Sequence, residues 1–498
     1  MRASWGVRSQ WRCGAGLGAW LLWLCLAAVS CASVPEVPSR GGPRWLRLTS
    51  EHFVLLTDAP DARARQTSVR LERQLHALCE LSFRCRGQLQ LSLRVIALSD
   101  REQFERAFGA AHGGVAHPDV LFEPLVVLTE GAASESLSTL NRMIAVHLAA
   151  RGLGPLPRWL EHGIGAYFES AHYESDATFV VGAVPRRHAQ WLRTHPRVPV
   201  AQLLDPQARL ADPESIAPSA WLLVHYLMSE RSSDFAAFQD AVASGKDLSA
   251  SFHEAFGDLS PERLDGLLDR YAQAGNYLSQ SQRIATPDSA PQIEALSDAD
   301  VYELRAELGA LCLDCDADRA REVDEDLERA LASDPRHLRA ALLRAQRATT
   351  PSAEQLARAE QLTREHPDAA LAYLQLARLR DRTEHRQRCA PELLARLESL
   401  APDNAHALSL RARCEQREGR HAAALALSER ALARAPTDPG FTLAHAELLH
   451  AQHACAELAR LLERIRSGTH DAQQTARLER CETPSGADQA QKTTAERP

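Results

Sequence analysis

The sequence of 498 residues predicts an α+β fold, in which a mixed α/β region passes into helices and is followed by an all-α repeat solenoid. Two observations predict it. Apolar residues alternate with polar ones in short segments before residue 130, as in β-strands, whereas the later segments have helical spacing. Four prolines then recur at 32-, 35- and 34-residue intervals, a period typical of helix–turn–helix repeats: Pro335, Pro367, Pro402 and Pro436.

The composition excludes several classes of protein. With 45% apolar and 24% charged residues, the chain is neither collagen-like, wholly disordered nor a polytopic membrane protein. The 57 basic and 65 acidic residues give a net charge of −8, and no basic block stands out. We therefore expect no nucleic acid among the partners.

Residues 1–30 have the pattern of a signal peptide. Arg2, Arg8 and Arg12 precede an apolar run over 17–29, which is shorter than the roughly 20 residues that cross a bilayer. The segment 28–31, Ala-Val-Ser-Cys, resembles a bacterial lipobox, which implies lipid attachment at Cys31 and a tether over 31–43. Alternatively, cleavage follows residue 30 and Cys31 is an ordinary thiol. The expected location is the bacterial cell envelope, lipid-anchored, at the outer membrane facing the periplasm.

Residues 44–275 predict one domain with its strands first. The expected strands are 45–48, 52–57, 88–97 and 120–128. The expected helices are 60–83, a short one after Asp100, 132–152, 157–172 and a segment around Trp221. Polar residues 276–300 predict a linker to the second domain.

Residues 301–470 resemble tetratricopeptide repeats. The copy over 405–438 is the clearest, with Gly419 at the turn and Ala424 and Ala431 where neighbouring helices must approach closely. The resemblance implies a binding surface for a protein or peptide in the repeat groove, without chemistry of its own. Residues 471–498 predict a terminal helix and a disordered tail.

Export would place the cysteines in an oxidising compartment, where disulfides form. Antiparallel packing of neighbouring repeat helices favours two pairs, and a third pair flanks a helix end: Cys389–Cys414, Cys455–Cys481 and Cys79–Cys85. The alternative is that these residues are buried thiols that act as small apolar side chains.

A redox role for Cys312 and Cys315 is a separate hypothesis. Their CxxC spacing is that of redox motifs, but they lie inside a predicted repeat helix rather than at the start of a helix after a strand. We expect this hypothesis to fail if both thiols are buried in the repeat core.

The chemically informative segment is 141–169. Two predicted helices meet at a Gly-Pro-Leu-Pro turn, and the second begins with Trp-Leu-Glu-His-Gly at 159–163. This segment resembles the core of the gluzincin (peptidase-MA-like) metallopeptidases of bacterial envelopes. There, HExxH lies on the first helix, and the Glu of Trp-Leu-x-Glu-Gly on the second is the third zinc ligand. Flanking segments extend the resemblance over about 44–275, which implies a zincin-like fold.

This chain departs from that family at the catalytic positions. Alignment places the first His of HExxH on Met143, the catalytic Glu on Ile144, the second His on His147 and the third ligand on His162. A catalytic zinc needs three protein ligands and a base beside its water. Because a thioether binds Zn²⁺ poorly and Ile144 accepts no proton, the sequence predicts no catalytic residue, no metal and no cofactor.

Two interpretations of the remaining imidazoles stay open. In the first, His147 and His162 form a noncanonical zinc site with a third donor such as His172 or Glu169, and the protein is a metal-dependent peptidase. In the second, His147 is a hydrogen-bonded core histidine and His162 lies in a partly solvated cleft. Glu161 is turned about 100° around the helix from His162, so we do not expect it to replace the missing ligand.

Together these observations predict a non-enzymatic envelope lipoprotein. A pseudo-peptidase domain over 44–275 precedes the repeats, and the groove of the repeats binds a protein or peptide partner. The membrane contact would be made through the lipid on Cys31.

Overall fold

The computed structural model describes residues 36–83, 92–108, 114–129, 135–205, 208, 212–285, 290–311, 317–347, 352–383, 389–465, 477–478 and 480–481. The predicted signal peptide, Cys31, Cys85, Cys312, Cys315 and the residues after 481 lie outside this set. Within these ranges no helix combines the length and the apolar character needed to cross a membrane.

Nine strands of the described chain form two sheets. Their bounds are β1 Leu46–Thr49, β2 Phe53–Thr57, β3 Leu93–Leu98, β4 Gly114–Val120, β5 Glu123–Thr129, β6 His172–Tyr173, β7 Thr178–Val181, β8 Gln280–Arg283 and β9 Gln292–Ala295. The larger sheet has the order β4-β5-β3-β2-β1-β9 and the smaller one β6-β7-β8. In the larger sheet β2, β3 and β5 are parallel, and β1, β4 and β9 run antiparallel to their neighbours.

The helices of the first region share a core with one face of the larger sheet, except the helix Arg101–Phe108, whose Phe104 and Phe108 pack on the other face. They are α1 Asp61–Leu78, α2 Arg101–Phe108, α3 Glu135–Leu153, α4 Arg158–Phe168, α5 Arg186–Thr194, α6 Val200–Leu204, α7 Ile216–Glu230, α8 Ser232–Ala243, α9 Leu248–Phe256 and α10 Pro261–Ala274. A single apolar core joins that sheet face to α1, α3, α4 and α7. The prediction of a mixed α/β region that passes into helices is therefore confirmed.

Five helix pairs follow in the second region. They are α11 Asp298–Ala310 with α12 Ala317–Ser333, α13 Leu338–Arg347 with α14 Ala353–Glu365, α15 Ala370–Thr383 with α16 Pro391–Leu400, α17 Ala405–Arg417 with α18 His421–Arg434, and α19 Pro439–Ala451 with α20 Cys455–Ile465. Each of the four recurring prolines lies two residues after the second helix of a pair, because proline cannot continue a helix.

One predicted strand is a hairpin. The sequence predicts a single strand over 120–128, whereas β4 and β5 are joined by a turn at Leu121 and Phe122. Both residues have positive φ angles, 49° and 68°, a region in which glycine and asparagine are expected. Since neither residue type is present, the sequence offers no turn signal.

The predicted linker over 276–300 is part of both sheets. β8 pairs with β7, and β9 forms the edge of the larger sheet beside β1. Ile293, next to Leu48 in the register, packs against the apolar core of the first region. The polar composition of this segment follows from its position at sheet edges, where most of its side chains are exposed.

The second face of the larger sheet packs against the repeats. Sheet residues such as Leu56, Ile96 and Val127 share an apolar core with Val301 and Leu304 of α11. The sheet is thus a common layer between the helices of the first region and the first repeat pairs.

A buried ion cluster accompanies this interface. Arg94 of β3 contacts Glu307 of α11 at 3.0 Å and Glu303 at 3.3 Å. Arg339 of α13 contacts Glu303 at 3.2 Å, and Glu307 and Glu123 of β5 at 2.8 Å each. Although burial opposes ionisation, the neighbouring guanidinium groups hold the pKa of Glu307 below its usual value. We refer to these five residues as the ion cluster.

Candidate functional site

The helix pair α3–α4 contains Met143, Ile144, His147 and His162, the residues that the resemblance aligns with a zinc site. α3 packs against the edge strand β4, where the Thr139 hydroxyl donates to the Gly114 carbonyl at 3.1 Å. Gly154 takes a φ of 76° between the two helices, and Pro157 caps the start of α4. The apolar faces of both helices point into the core of the first region.

Two glycines of α4 allow its neighbours to approach. A Cβ at Gly163 would lie 2.4 Å from Val224 Cγ2 and 2.8 Å from the Ala220 carbonyl oxygen of α7. A Cβ at Gly165 would lie 2.8 Å from Arg142 Cγ of α3. The side chain of Arg142 thus passes α4 at Gly165, where a residue with a Cβ atom would collide with it.

The C-terminal end of α4 is fixed by buried polar contacts. Asn141 of α3 donates to the Ala171 carbonyl at 2.8 Å, and Gln74 of α1 donates to Asn141 at 2.8 Å. Glu169 is buried, contacts Arg187 at 2.5 Å and lies 3.2 Å from His188 Nε2. Burial raises its pKa, but His188 and Arg187 outweigh that effect and hold the pKa below its usual value.

The structure places the two proposed third donors elsewhere. Glu169 is engaged by Arg187 and His188, as described. His172 is exposed on β6, where its Nδ1 lies 2.8 Å from the Ser170 carbonyl oxygen.

His162 faces a guanidinium group. Its Nδ1 lies 3.0 Å from Arg142 Nη2, so the imidazole accepts this hydrogen bond and is neutral. Burial, with Arg142 and Arg158 nearby, lowers the pKa of His162 to about 3. A nitrogen that accepts from an arginine is not free to bind a metal.

His147 has a buried nitrogen without a partner. Its Nε2 makes no hydrogen bond to any residue that the structure describes. Burial is the main cause that lowers the pKa of His147 to about 4, and Arg151 adds to it. The imidazole is therefore neutral at pH 7 and can either donate or accept one further hydrogen bond from a ligand.

The residues at the motif positions do not fit a zinc ion. Met143 is half-buried against the core and Ile144 is fully buried. Over the described residues, one group of three side chains has its donor atoms within 4.8 Å of one another: Cys389, Cys414 and Glu418. The two sulfur atoms of that group are joined in a disulfide, and neither His147 nor His162 belongs to it.

A cavity of about 550 Å³ lies between the helix pair α3–α4 and the repeats. We call it the interdomain cavity. One wall consists of residues of α3 and α4, namely Thr139, Arg142, Met143, Ile144, Val146, His147 and Glu161. The opposite wall comes from α17, α18, α19 and their adjoining turns, namely Asp403, Asn404, Ala405, His406, Arg434, Ala435, Thr437, Asp438 and Phe441. The β4–β5 turn closes one end with Phe122.

The cavity includes residues that sequence reasoning missed. Glu161, and not His162, is the α4 side chain that lines it with His147. Glu161 is exposed, yet the neighbouring wall atoms remove part of its hydration and raise the pKa of its carboxyl, and Arg142 and Arg158 partly oppose this. The signal available in the sequence was that Glu161 lies next to His162, the residue aligned with the third zinc ligand. No local pattern could have indicated the repeat residues on the opposite wall.

Phe122 occupies part of the repeat surface. Its ring is buried among Leu374 and Ala377 of α15 and Leu410 of α17. It also meets His406 edge-to-face at a centroid separation of 5.0 Å, and Arg378 lies 5.4 Å from the ring centroid. The predicted partner groove is thus partly filled by the chain's own hairpin, and a pocket of about 240 Å³ remains beside Phe122.

Of the three cysteine pairs that the sequence favours, the two in the second region are joined as disulfides. Disulfides join Cys389 to Cys414 and Cys455 to Cys481, each with 5.5 Å between the Cα atoms. Cys79 is also disulfide-bonded. Its predicted partner, Cys85, lies outside the described residues, as do Cys312 and Cys315.

Comparison with known proteins identifies no family. No family model matches the sequence, and no curated protein matches it. Among solved structures, the chain matches the human IFIT1 dimer with PPP-AAAA at 14% identity and a TM-score of 0.26, over 56% of this chain and 63% of the other. The human IFIT1 dimer with m7Gppp-AAAA matches at the same identity and TM-score, over 59% and 70%. So low a TM-score supports no functional argument, and the first match spans less than two thirds of the IFIT1 chain.

Proposed function

We propose that this chain is a non-catalytic binding protein of the bacterial cell envelope, anchored through a lipid on Cys31. In this proposal, the gluzincin-like domain has lost its peptidase chemistry and, together with the tetratricopeptide-type repeats, holds a protein or peptide partner. The interdomain cavity carries the proposal, because its walls come from both regions of the chain.

The chemistry of the cavity supports binding rather than hydrolysis. Zinc-dependent hydrolysis would require a carboxylate beside a metal held by three side chains. The position aligned with that carboxylate is the fully buried Ile144, and His162 accepts a hydrogen bond from Arg142. A cavity of this volume, with apolar side chains beside polar ones on its walls, is of the size typical of ligand sites.

Metal content and peptidase activity of the full chain test the loss of catalysis. We expect no stoichiometric zinc after dialysis and no cleavage of a denatured protein substrate, with or without added zinc. Stoichiometric zinc together with chelator-sensitive cleavage would instead support the metal-dependent peptidase built around His147 and His162.

Affinity capture from the protein's own envelope tests the binding role. The variant Ala444→Arg places a long charged side chain in the pocket beside Phe122, whereas Ala426→Arg changes an exposed position of α18. We expect a protein partner to be lost from the first variant and retained by the second. Equal capture by both variants, or captured material that nuclease removes, would contradict a protein partner in the repeat groove.

A further inference from the structure

We propose that the interdomain cavity binds a short zwitterionic peptide, with the peptide carboxylate on Arg142 and its amino group on Glu161. This inference rests on the proposed binding function and names the ligand class for the same cavity. It depends on which charges of the cavity are already neutralised by the protein and which are not.

Most charged groups of the cavity have partners within the chain. Arg434 contacts Asp403 at 2.8 Å, and Glu123 contacts Arg339 of the ion cluster at 2.8 Å. Asp438 accepts from the Gly440 N–H at 2.7 Å and caps the start of α19. The two ion pairs carry no net charge, and Asp438 keeps its negative charge at the start of α19, on the wall opposite Arg142.

Arg142 is the cation that lacks an anion. No carboxylate of the described residues lies within ion-pair distance of it, and its contact at 3.0 Å is the neutral imidazole of His162. Burial lowers the pKa of Arg142, and the more distant carboxylates of Glu169 and Glu161 do not offset that effect. Since the guanidinium offers five N–H donors, it can bind a carboxylate in two-point contact while it retains His162.

Glu161 is the matching anion. It lines the same cavity, and within the described chain no Arg, Lys or His nitrogen lies within ion-pair distance of its carboxylate. The side chain is exposed at the cavity, and its surroundings still raise its pKa because Arg142 and Arg158 oppose the partial loss of hydration only in part. A ligand ammonium group would supply a compensating cation.

A peptide also fits the rest of the cavity. The unpartnered Nε2 of His147 can exchange one hydrogen bond with a peptide backbone, which offers both N–H and C=O groups. Met143, Val146 and Phe441 provide an apolar wall for a side chain. A purely anionic ligand such as phosphate is disfavoured, because Glu161 would repel it.

Calorimetric titration of the full chain at pH 7 with four forms of trialanine tests the assignment. We expect trialanine with free ends to bind most tightly and the doubly capped acetyl-trialanine amide not to bind. Arg142→Gln and Glu161→Gln should each weaken binding of the free peptide by about tenfold or more. Arg193→Gln and Glu230→Gln, at exposed positions of α5 and α7, are matched controls and should leave binding unchanged.

The singly capped peptides assign each end to its residue. Acetyl-trialanine, which keeps the carboxylate, should respond to Arg142→Gln and not to Glu161→Gln. Trialanine amide, which keeps the amino group, should show the reverse. Thermal melting of each variant confirms that it is folded.

Three results would overturn the inference. They are equal binding of capped and free trialanine, unchanged binding of free trialanine by both Arg142→Gln and Glu161→Gln, and absence of trialanine binding. Tight binding of inorganic phosphate that depends on Arg142 would also contradict it. None of these results affects capture of a protein partner through the repeat groove, so the inference can fail while the proposed function stands.

Discussion

At the scale of single residues, glycine 163 determines how closely α4 and α7 pack. The hydrogen in place of a side chain lets α7 present Val224 and the Ala220 carbonyl directly to the α4 backbone. Because one of these contacts is backbone, it cannot be relieved by a change of side-chain rotamer. The close approach keeps Trp159 and the rest of the helix in the core.

We expect Gly163→Ala to lower the free energy of unfolding by about 1–3 kcal/mol, as overpacking does in other cores. Denaturant titration of the full chain measures it. Gly152→Ala is the control, because a Cβ at this α3 position meets nothing within 4 Å and alanine favours the helix. An unchanged stability of Gly163→Ala would mean that α7 can move away freely.

His147 makes stability depend on pH. Its pKa is lowered from 6.5 to about 4 in the folded chain, chiefly by burial. Between these values the unfolded chain binds a proton that the folded chain does not, so the contribution of His147 to stability is present above pH 6.5 and is lost as the pH falls towards 4.

Replacement of His147 by Gln should therefore reduce the loss of unfolding free energy between pH 7 and pH 4.5. Denaturant midpoints over this range test it. His172→Gln, at an exposed position, should leave the profile unchanged. Parallel profiles for the wild-type chain and His147→Gln would contradict a neutral, buried imidazole.

At the scale of elements, the ion cluster joins the sheet to the first two repeat pairs. Arg339 connects both carboxylates of α11 with Glu123 of β5. Although burial acts to lower it, the carboxylates of Glu307, Glu303 and Glu123 raise the pKa of Arg339 above its usual value. The guanidinium group stays charged, and its loss would leave buried carboxylates without compensation.

Arg339→Gln should destabilise the chain by about 3–5 kcal/mol, the usual cost of breaking a buried pair from one side. Arg344→Gln changes an exposed arginine of the same helix and should stay within about 0.5 kcal/mol of the wild type. Urea unfolding compares them. Equal stabilities would show that water reaches the cluster and screens it.

At the scale of the whole molecule, the two regions share the larger sheet. Its first face belongs to the core of α1, α3 and α4, and its second face is covered by α11 and the following repeat helices. β9, from the segment between the regions, completes the sheet edge. The regions are therefore one folding unit at this interface.

A fragment of residues 44–275 should consequently not fold as a stable monomer. It lacks β8, β9 and α11, so sheet residues such as Ile96 and Val127 would be exposed. Light scattering and dye binding test this. A chain that ends at residue 438 loses one terminal helix pair and should keep the oligomeric state of the full chain, because repeats contact mainly their neighbours. A monodisperse, cooperatively unfolding 44–275 fragment would contradict the shared layer.

Several elements were predictable because their signals are local. The period of the four prolines indicates the helix pairs. Before residue 275, apolar spacing indicates β1, β2, β3 and β5 and the helices α1 to α4 and α7, but not β4, β6, β7 or the bounds of the other five helices. The β4–β5 turn was not predictable, since Leu121 and Phe122 adopt positive φ angles that only their packing stabilises. The end strands β8 and β9 were missed because edge strands can be polar on both faces.

Of the candidate site, only the side formed by the helix pair α3–α4 was predictable. The sequence indicated the helix pair, with Ile144, His147 and His162 on it. It did not indicate that Glu161 lines the cavity or that Arg142 binds His162, because the direction of a side chain depends on the neighbours of the helix.

The sequence by itself determined the succession of an α/β region and helical repeats, and the residue types at positions 143, 144, 147 and 162. The tertiary structure alone decided that the repeats cover the sheet, that Phe122 enters their groove and that both regions enclose one cavity. The physical reason is that periodicity reveals which face of an element is apolar, whereas the surface that covers this face is chosen by contacts between residues distant in the chain.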